Sequence, residues 1–138
     1  MKTGRWVIAS CVIAIALIIL DMIYNGVLLK GLYMQTAFLW RPEMQIDRLA
    51  FWGWLATIAV SFILVYIYHR GYEGRGSGLA EGLRFGFFIG LFVAIPMATW
   101  SFVSMPIPFA LAAWWFIIAM VKMLVAGAIA GLIYKRPA

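Results

Sequence analysis

Between Arg84 and Lys122 lie 37 residues without a charged side chain. A helix rises about 1.5 Å per residue, and about 20 apolar residues cross the ~30 Å hydrocarbon layer of a bilayer. The run is too long for one span and too apolar for a surface that faces water. Ser104-Met105-Pro106-Ile107-Pro108 divides it, because two prolines in three residues withdraw backbone donors and disfavour helix before each ring. Residues 85–103 and 109–134 then read as two spans, the second carrying Lys122 as its one charge. Upstream, residues 6–29 qualify with Asp21 as their one charge, and residues 49–68 with none. The expected fold is an all-α membrane protein: a single domain, residues 1–138, forming an antiparallel bundle of four transmembrane helices.

Composition agrees. Of 138 residues, 66% are hydrophobic and 12% charged, against about 45–50% and about 25% in soluble domains. That excludes a soluble enzyme, a nucleic-acid-binding domain and a disordered tail. The net charge of +6 does not point to nucleic acid, because no basic stripe runs along a water-facing helix. It points to orientation. Lys2, Arg5, Arg70, Arg75, Arg84, Lys135 and Arg136 fall on one side of the four spans, and Lys30, Arg41 and Arg48 on the other. Basic residues favour the cytoplasmic side, so both termini are expected in the cytoplasm, with the protein in a bacterial plasma (inner) membrane. Trp40, Trp52, Trp54, Trp100, Trp114 and Trp115 fall near the outer boundary, and Tyr66, Tyr68, Tyr72 and Tyr134 near the inner one, as interfacial belts do.

Chemistry-bearing clusters are sparse. Cys11 is the one cysteine and His69 the one histidine, which leaves no disulfide, thiol pair or bis-histidine haem site within one chain. No cofactor, metal site or catalytic residue is expected, and the chain is not expected to be an enzyme. Lys2 and Arg5 before an apolar run resemble a signal peptide, but no polar cleavage region follows, so the segment reads as an anchor. A lipoprotein reading of Ile8-Ala9-Ser10-Cys11 fails because only Trp6 and Val7 separate this box from Arg5. The glycines at 71, 74, 76 and 78 read as a turn, since they lack the spacing of a phosphate-binding loop. The longest connection, residues 30–48, is apolar enough to lie on the membrane or fold over the bundle. Pro42-Glu43 within it reads as a helix start.

Small residues set the expected packing. Gly82, Gly86 and Gly90 recur at four-residue steps, and Gly127 and Gly131 repeat the step in the fourth span. Such rows let helix backbones approach in lipid. A step of four residues turns a helix by about 400°, so only three consecutive members are expected to share a flat patch. The patch serves either the hairpin of spans three and four or a contact with a second copy of the chain. Pro96 and the bulk of Trp100, Trp114 and Trp115 are expected to splay the other half of that hairpin. A small stripe of Gly53, Thr57 and Ser61 lies on span two.

Asp21 and Lys122 are the charges at membrane depth, where ionisable groups are costly and usually find partners inside the bundle. Asp21 lies nine residues before Lys30 and Lys122 thirteen after Phe109, depths of about 13 and 20 Å from the outer boundary at ~1.5 Å per residue. Side chains lean toward their helix N-terminus, which narrows that gap. The inward face of span one is expected to hold Cys11, Ala14, Ile18, Asp21, Asn25 and Leu28. That of span four is expected to hold Ala112, Trp115, Ala119, Lys122, Ala126 and Ile129. Three readings stand: a buried ion pair that fixes register, a polar site for substrate or proton completed by Tyr24, Asn25, Thr57 and Ser61, or two charges that face other chains.

Asp21-Met22-Ile23-Tyr24-Asn25-Gly26-Val27-Leu28-Leu29-Lys30, Leu39-Trp40-Arg41-Pro42, Gly82-Leu83-Arg84-Phe85-Gly86 and Pro106-Ile107-Pro108 together resemble small uncharacterised four-span bacterial membrane proteins. The resemblance implies the fold and location and attaches no activity. An acid in the first span is also similar to small multidrug transporters, although Asp21 comes late in its span and Lys122 has no counterpart in that pattern. Two function classes follow. One is a non-catalytic subunit, assembly factor or scaffold, with membrane lipid and a homo-oligomer or larger membrane complex as partners. The other is a small transporter or ligand-binding protein with an outward-opening cavity around Asp21, Asn25 and Lys122, whose small-molecule ligand the sequence does not name.

Overall fold

The computed structural model describes residues 3–74 and 76–134. Lys2, Arg75, Lys135 and Arg136, which enter the charge count above, lie outside the described residues. The chain is helical, with no strand among the described residues. Its order is α1 (Thr3–Ile23), a π-helical turn (Tyr24–Leu28), α2 (Lys30–Gln35), a 3₁₀ turn (Ala37–Leu39), α3 (Glu43–Arg70), α4 (Gly78–Ser104) and α5 (Phe109–Ile133). Four of these segments are long and apolar enough to cross a membrane: Thr3–Leu28, Glu43–Arg70, Gly78–Ser104 and Phe109–Ile133.

Local chemistry sets the helix ends. Pro42 caps α3 in extended geometry, and its carbonyl accepts from Gln45 and Ile46, so α3 starts six residues before the apolar stretch at 49. Ser77 caps α4 by accepting from the Ala80 N–H at 3.1 Å. That start lies seven residues before position 85. The charge-free criterion alone places both boundaries too late, because Asp47, Arg48, Glu81 and Arg84 ride on helical turns beyond the apolar stretch, whereas the helix start read at Pro42-Glu43 is where α3 begins. Met105 is extended, as a residue before proline should be, and Pro108 caps α5.

Helix α1 packs against both α3 and α5, and α5 packs against α4 along the longest seam. Helices α3 and α4 meet where Tyr68 and Phe85 stack edge to face at 5.3 Å. Two apolar clusters result. The first joins Ala9, Ile13 and Leu17 of α1, Leu64, Val65 and Tyr68 of α3, and Met123, Ala126 and Ala130 of α5. At this end Trp6 donates to the Phe62 carbonyl at 3.0 Å, and Tyr134 and His69 share a hydrogen bond of 2.6 Å. The second cluster seats the 30–40 connection on α5, with Leu29 against Ile107, Leu111, Ala112 and Ile118.

The glycine row is the α4–α5 seam. A methyl group at Gly78, Gly82 or Gly86 would collide with backbone carbonyls of Gly131, Gly127 or Met123, and one at Gly127 or Gly131 with those of Gly82 or Gly78. At Gly90 the obstacle is the flexible Met120 sulfur, 2.9 Å away. These faces are filled within the chain and offer nothing to a second copy. The row is also longer than the expected patch of three, since Gly82, Gly86, Gly90, Ala94 and Ala98 are all buried. An α5 that follows the winding row around α4 accounts for this. Beyond Ala98 the seam opens into an apolar cleft of about 510 Å³ lined by Thr99, Phe102, Phe109, Ala113 and Phe116 among others. The cleft lies in the half expected to splay, and Trp100 and Trp114 do not line it; both are exposed.

Two faces differ from the periodic reading. On α1 the buried positions are Ala9, Ser10, Ile13, Ala14 and Leu17. Cys11, Asn25 and Leu28 are exposed instead of inward, while Ile18 and Asp21 are half-buried. Small residues at 9, 10 and 14 allow the close approach, which rotates the seam, and the π turn shifts every position after Tyr24. On α3 burial starts only at Ser61. Residues 43–60 are exposed apart from half-buried Ala50 and Thr57, and a methyl group at Gly53 would meet nothing within 4 Å.

Candidate functional site

The two charges at span depth meet. Lys122 Nζ lies 2.7 Å from Asp21 Oδ1, with side chains 24% and 34% exposed respectively. Asp21 sits in the last turn of α1, and Lys122 lies midway along α5. The contact ties the first long helix to the last.

A hydrogen-bonded ladder lies beside the pair, close enough for the Asp21 charge to act on Tyr33. The Tyr33 hydroxyl donates to Asn25 Oδ1 at 2.7 Å and accepts from Trp115 Nε1 at 3.0 Å. Trp40 stacks edge to face on Tyr33 and on Trp115, and its Nε1 donates to Thr36 Oγ1 at 2.9 Å. Thr36 is buried and donates back to the Leu32 carbonyl at 3.0 Å. The ladder needs the π turn. There the Leu29 N–H reaches the Tyr24 carbonyl, five residues back, and one extra residue enters the turn. The chain then re-enters α2 with Tyr33 beside Asn25. Burial pushes the Tyr33 phenol above its ordinary value; the Trp115 hydrogen bond opposes this and the Asp21 charge adds to it. The hydroxyl therefore stays protonated, able to donate to Asn25.

The structure thus brings Asp21, Lys122 and Asn25 into one region. Tyr24 joins it by packing its ring into the second cluster. Thr57 and Ser61 do not join the ladder. Their hydroxyls donate along their own helix, to the Gly53 carbonyl at 3.0 Å and the Thr57 carbonyl at 2.7 Å. Span-two residues that look polar in sequence are already satisfied by backbone. Tyr33, Thr36 and Trp40 were missed as polar partners because they lie in a connection with no periodic frame. Trp115 carried a usable signal, being seven residues and about two turns before Lys122 on the same face.

Among the described residues no three His, Cys, Asp or Glu side chains gather as metal ligands. Comparison with protein families, characterised proteins and solved structures finds no match, so the site is read on its own geometry.

Proposed function

We propose that the protein is a non-catalytic module of a bacterial plasma-membrane assembly, a subunit or scaffold rather than an enzyme. The carrying observation is the direct Asp21–Lys122 contact. Each charge neutralises the other, and the adjoining polar groups are occupied by Asn25, Tyr33 and Trp115. This is an arrangement for holding register, the best-attested use of buried ionic groups. The open flank of α3 over residues 43–60 is the surface a partner span would cover. Glycine contacts that run up α4 as they run down α5 support an antiparallel bundle. The seven-to-three distribution of Lys and Arg supports cytoplasmic termini.

The test is photo-cross-linking in native membranes. A photoreactive residue at Gly53 is expected to yield a discrete protein adduct, and one at Phe92, which is 79% exposed on α4, only lipid adducts. Lipid adducts alone at both positions would contradict the proposal.

One observation favours the second reading, a small transporter or ligand-binding protein. The ion pair is a quarter to a third exposed and so open to groups outside the bundle. Under this reading a substrate enters beside Asp21 and competes with Lys122 for it. Accumulation of a cationic dye in vesicles, abolished in Asp21→Asn, would establish it.

A further inference from the structure

Where α4 gives way to α5, the glycine seam opens into the apolar cleft of about 510 Å³. Ligand sites have this character: they are concave, mostly apolar, a few hundred Å³ in volume, and carry few polar groups. Ala98, Ala112 and Ala113 leave the room, and Phe102, Phe109 and Phe116 wall it. Both helices are long and apolar enough to cross a membrane, so the cleft is open to lipid. None of the residues lining it is charged.

Polar groups are few and unspent. Thr99 is the one polar side chain in the lining, and its hydroxyl makes no hydrogen bond among the described residues. Those of Thr36, Thr57 and Ser61, by contrast, donate to carbonyls four residues back. Phe102 and Val103 also line the cleft, in the last turn of α4. Pro106 has no N–H to offer the Phe102 carbonyl. The Ile107 N–H, which a continued helix would give to Val103, goes to the Met105 carbonyl at 2.8 Å. These two carbonyls therefore have no backbone donor.

A matching occupant has a hydrocarbon body, no charge, a donor at the level of Phe102 and Val103, and an acceptor at the level of Thr99. Thr99 lies about 4.5 Å deeper along α4 than Phe102, at ~1.5 Å per residue. A phosphodiester brings a charge that nothing lining the cleft neutralises. A plain long-chain alcohol has the donor and no acceptor beneath it. We propose that the cleft binds a diacylglycerol, an uncharged lipid that enters sideways from the bilayer. Its hydroxyl donates to the Phe102 or Val103 carbonyl, and an ester carbonyl just below accepts from Thr99. The acyl chains run between the phenylalanine rings toward Ile117, which lies about 12 Å along α5 from Phe109.

The test uses the full chain in nanodiscs and native mass spectrometry, with dioleoylglycerol as the probe. It should be retained about fivefold over its 3-acetyl ester, which has no hydroxyl, and about fivefold over oleyl alcohol, which has no ester, each ratio being the value of one neutral hydrogen bond. Dioleoyl phosphatidic acid, which is charged, should be retained least. Thr99→Val should weaken dioleoylglycerol retention about fivefold and leave melting in lipid-free detergent unchanged, since the hydroxyl has no protein partner to lose. Ala113→Phe fills the cleft and should abolish retention. Equal retention of the four lipids would mean that bilayer chains fill the cleft without selection. Unaltered retention in Thr99→Val would mean that the lipid sits elsewhere. A dimer mass lost in Ala113→Phe would mean that a second copy of the chain covers the cleft. Each of these three results would overturn the proposal.

Discussion

The sharpest statements concern single atoms. At Gly82, Gly127 and Gly131 an added methyl group meets backbone that cannot move aside. Alanine at any of these positions should destabilise the fold by about 2 kcal/mol or more, at the high end of overpacking costs, read as a lower melting temperature in detergent. Alanine at Gly53, which has open space around it, should change stability by less than about 0.5 kcal/mol. Tyr33 is the second case. Tyr33→Phe leaves Asn25 without its donor and Trp115 without its acceptor, and should cost about 1–3 kcal/mol. Its raised folded-state value fixes the sign of the pH dependence. The folded state holds the phenolic proton more tightly than the unfolded chain, whose value is about 10. The stabilisation is therefore fully present below pH ~10 and is lost as pH rises through the higher folded value. In an alkaline titration followed by tyrosinate absorbance, Tyr33→Phe should lose one of the phenols that ionise above pH ~10 in the folded protein.

At the scale of elements, the four long apolar helices and the break at 104–108 were legible in sequence, because chain length against bilayer thickness admits few solutions. The glycine seam was legible in position and underestimated in extent. Faces were less so. The inward side of α1 was read from a strict three-four alternation, whereas Ala9, Ser10 and Ala14 turn a different side to its neighbours and a π turn resets the phase beyond Tyr24. No propensity marks such a turn beforehand. The 30–40 connection was legible as apolar, lying on the membrane or folded over the bundle, and the structure takes the second course. Its role as a lid on α5, with Tyr33 and Trp40 stacked between α2 and Trp115, is tertiary. The turn between α3 and α4 also proves organised, gathered around the buried Glu81 carboxylate, which accepts from the Glu73 and Gly74 N–H groups. Glu81→Ala removes the acceptor for two backbone N–H groups and should raise hydrogen exchange at Glu73 and Gly74 by at least about tenfold, which mass spectrometry of that peptide reads.

At the scale of the molecule, α1 and α5 form the centre and α3 and α4 the flanks. The α4 flank is locked by backbone contact. The α3 flank is held only from Ser61 onward and stands free over residues 43–60. A bundle with one rigid and one open flank suits a module that receives another span. The first and last long helices are joined across the centre by Asp21 and Lys122, and the proposed role depends on that bond being structural. The most direct test is a double-mutant cycle of Asp21→Asn, Lys122→Met and both together, measured by thermal unfolding in lipid nanodiscs. Each single variant should lose about 1–3 kcal/mol, and the double variant should recover most of that loss, because the uncompensated charge is gone. Single variants as stable as wild type, or losses that simply add in the double variant, would contradict a structural ion pair.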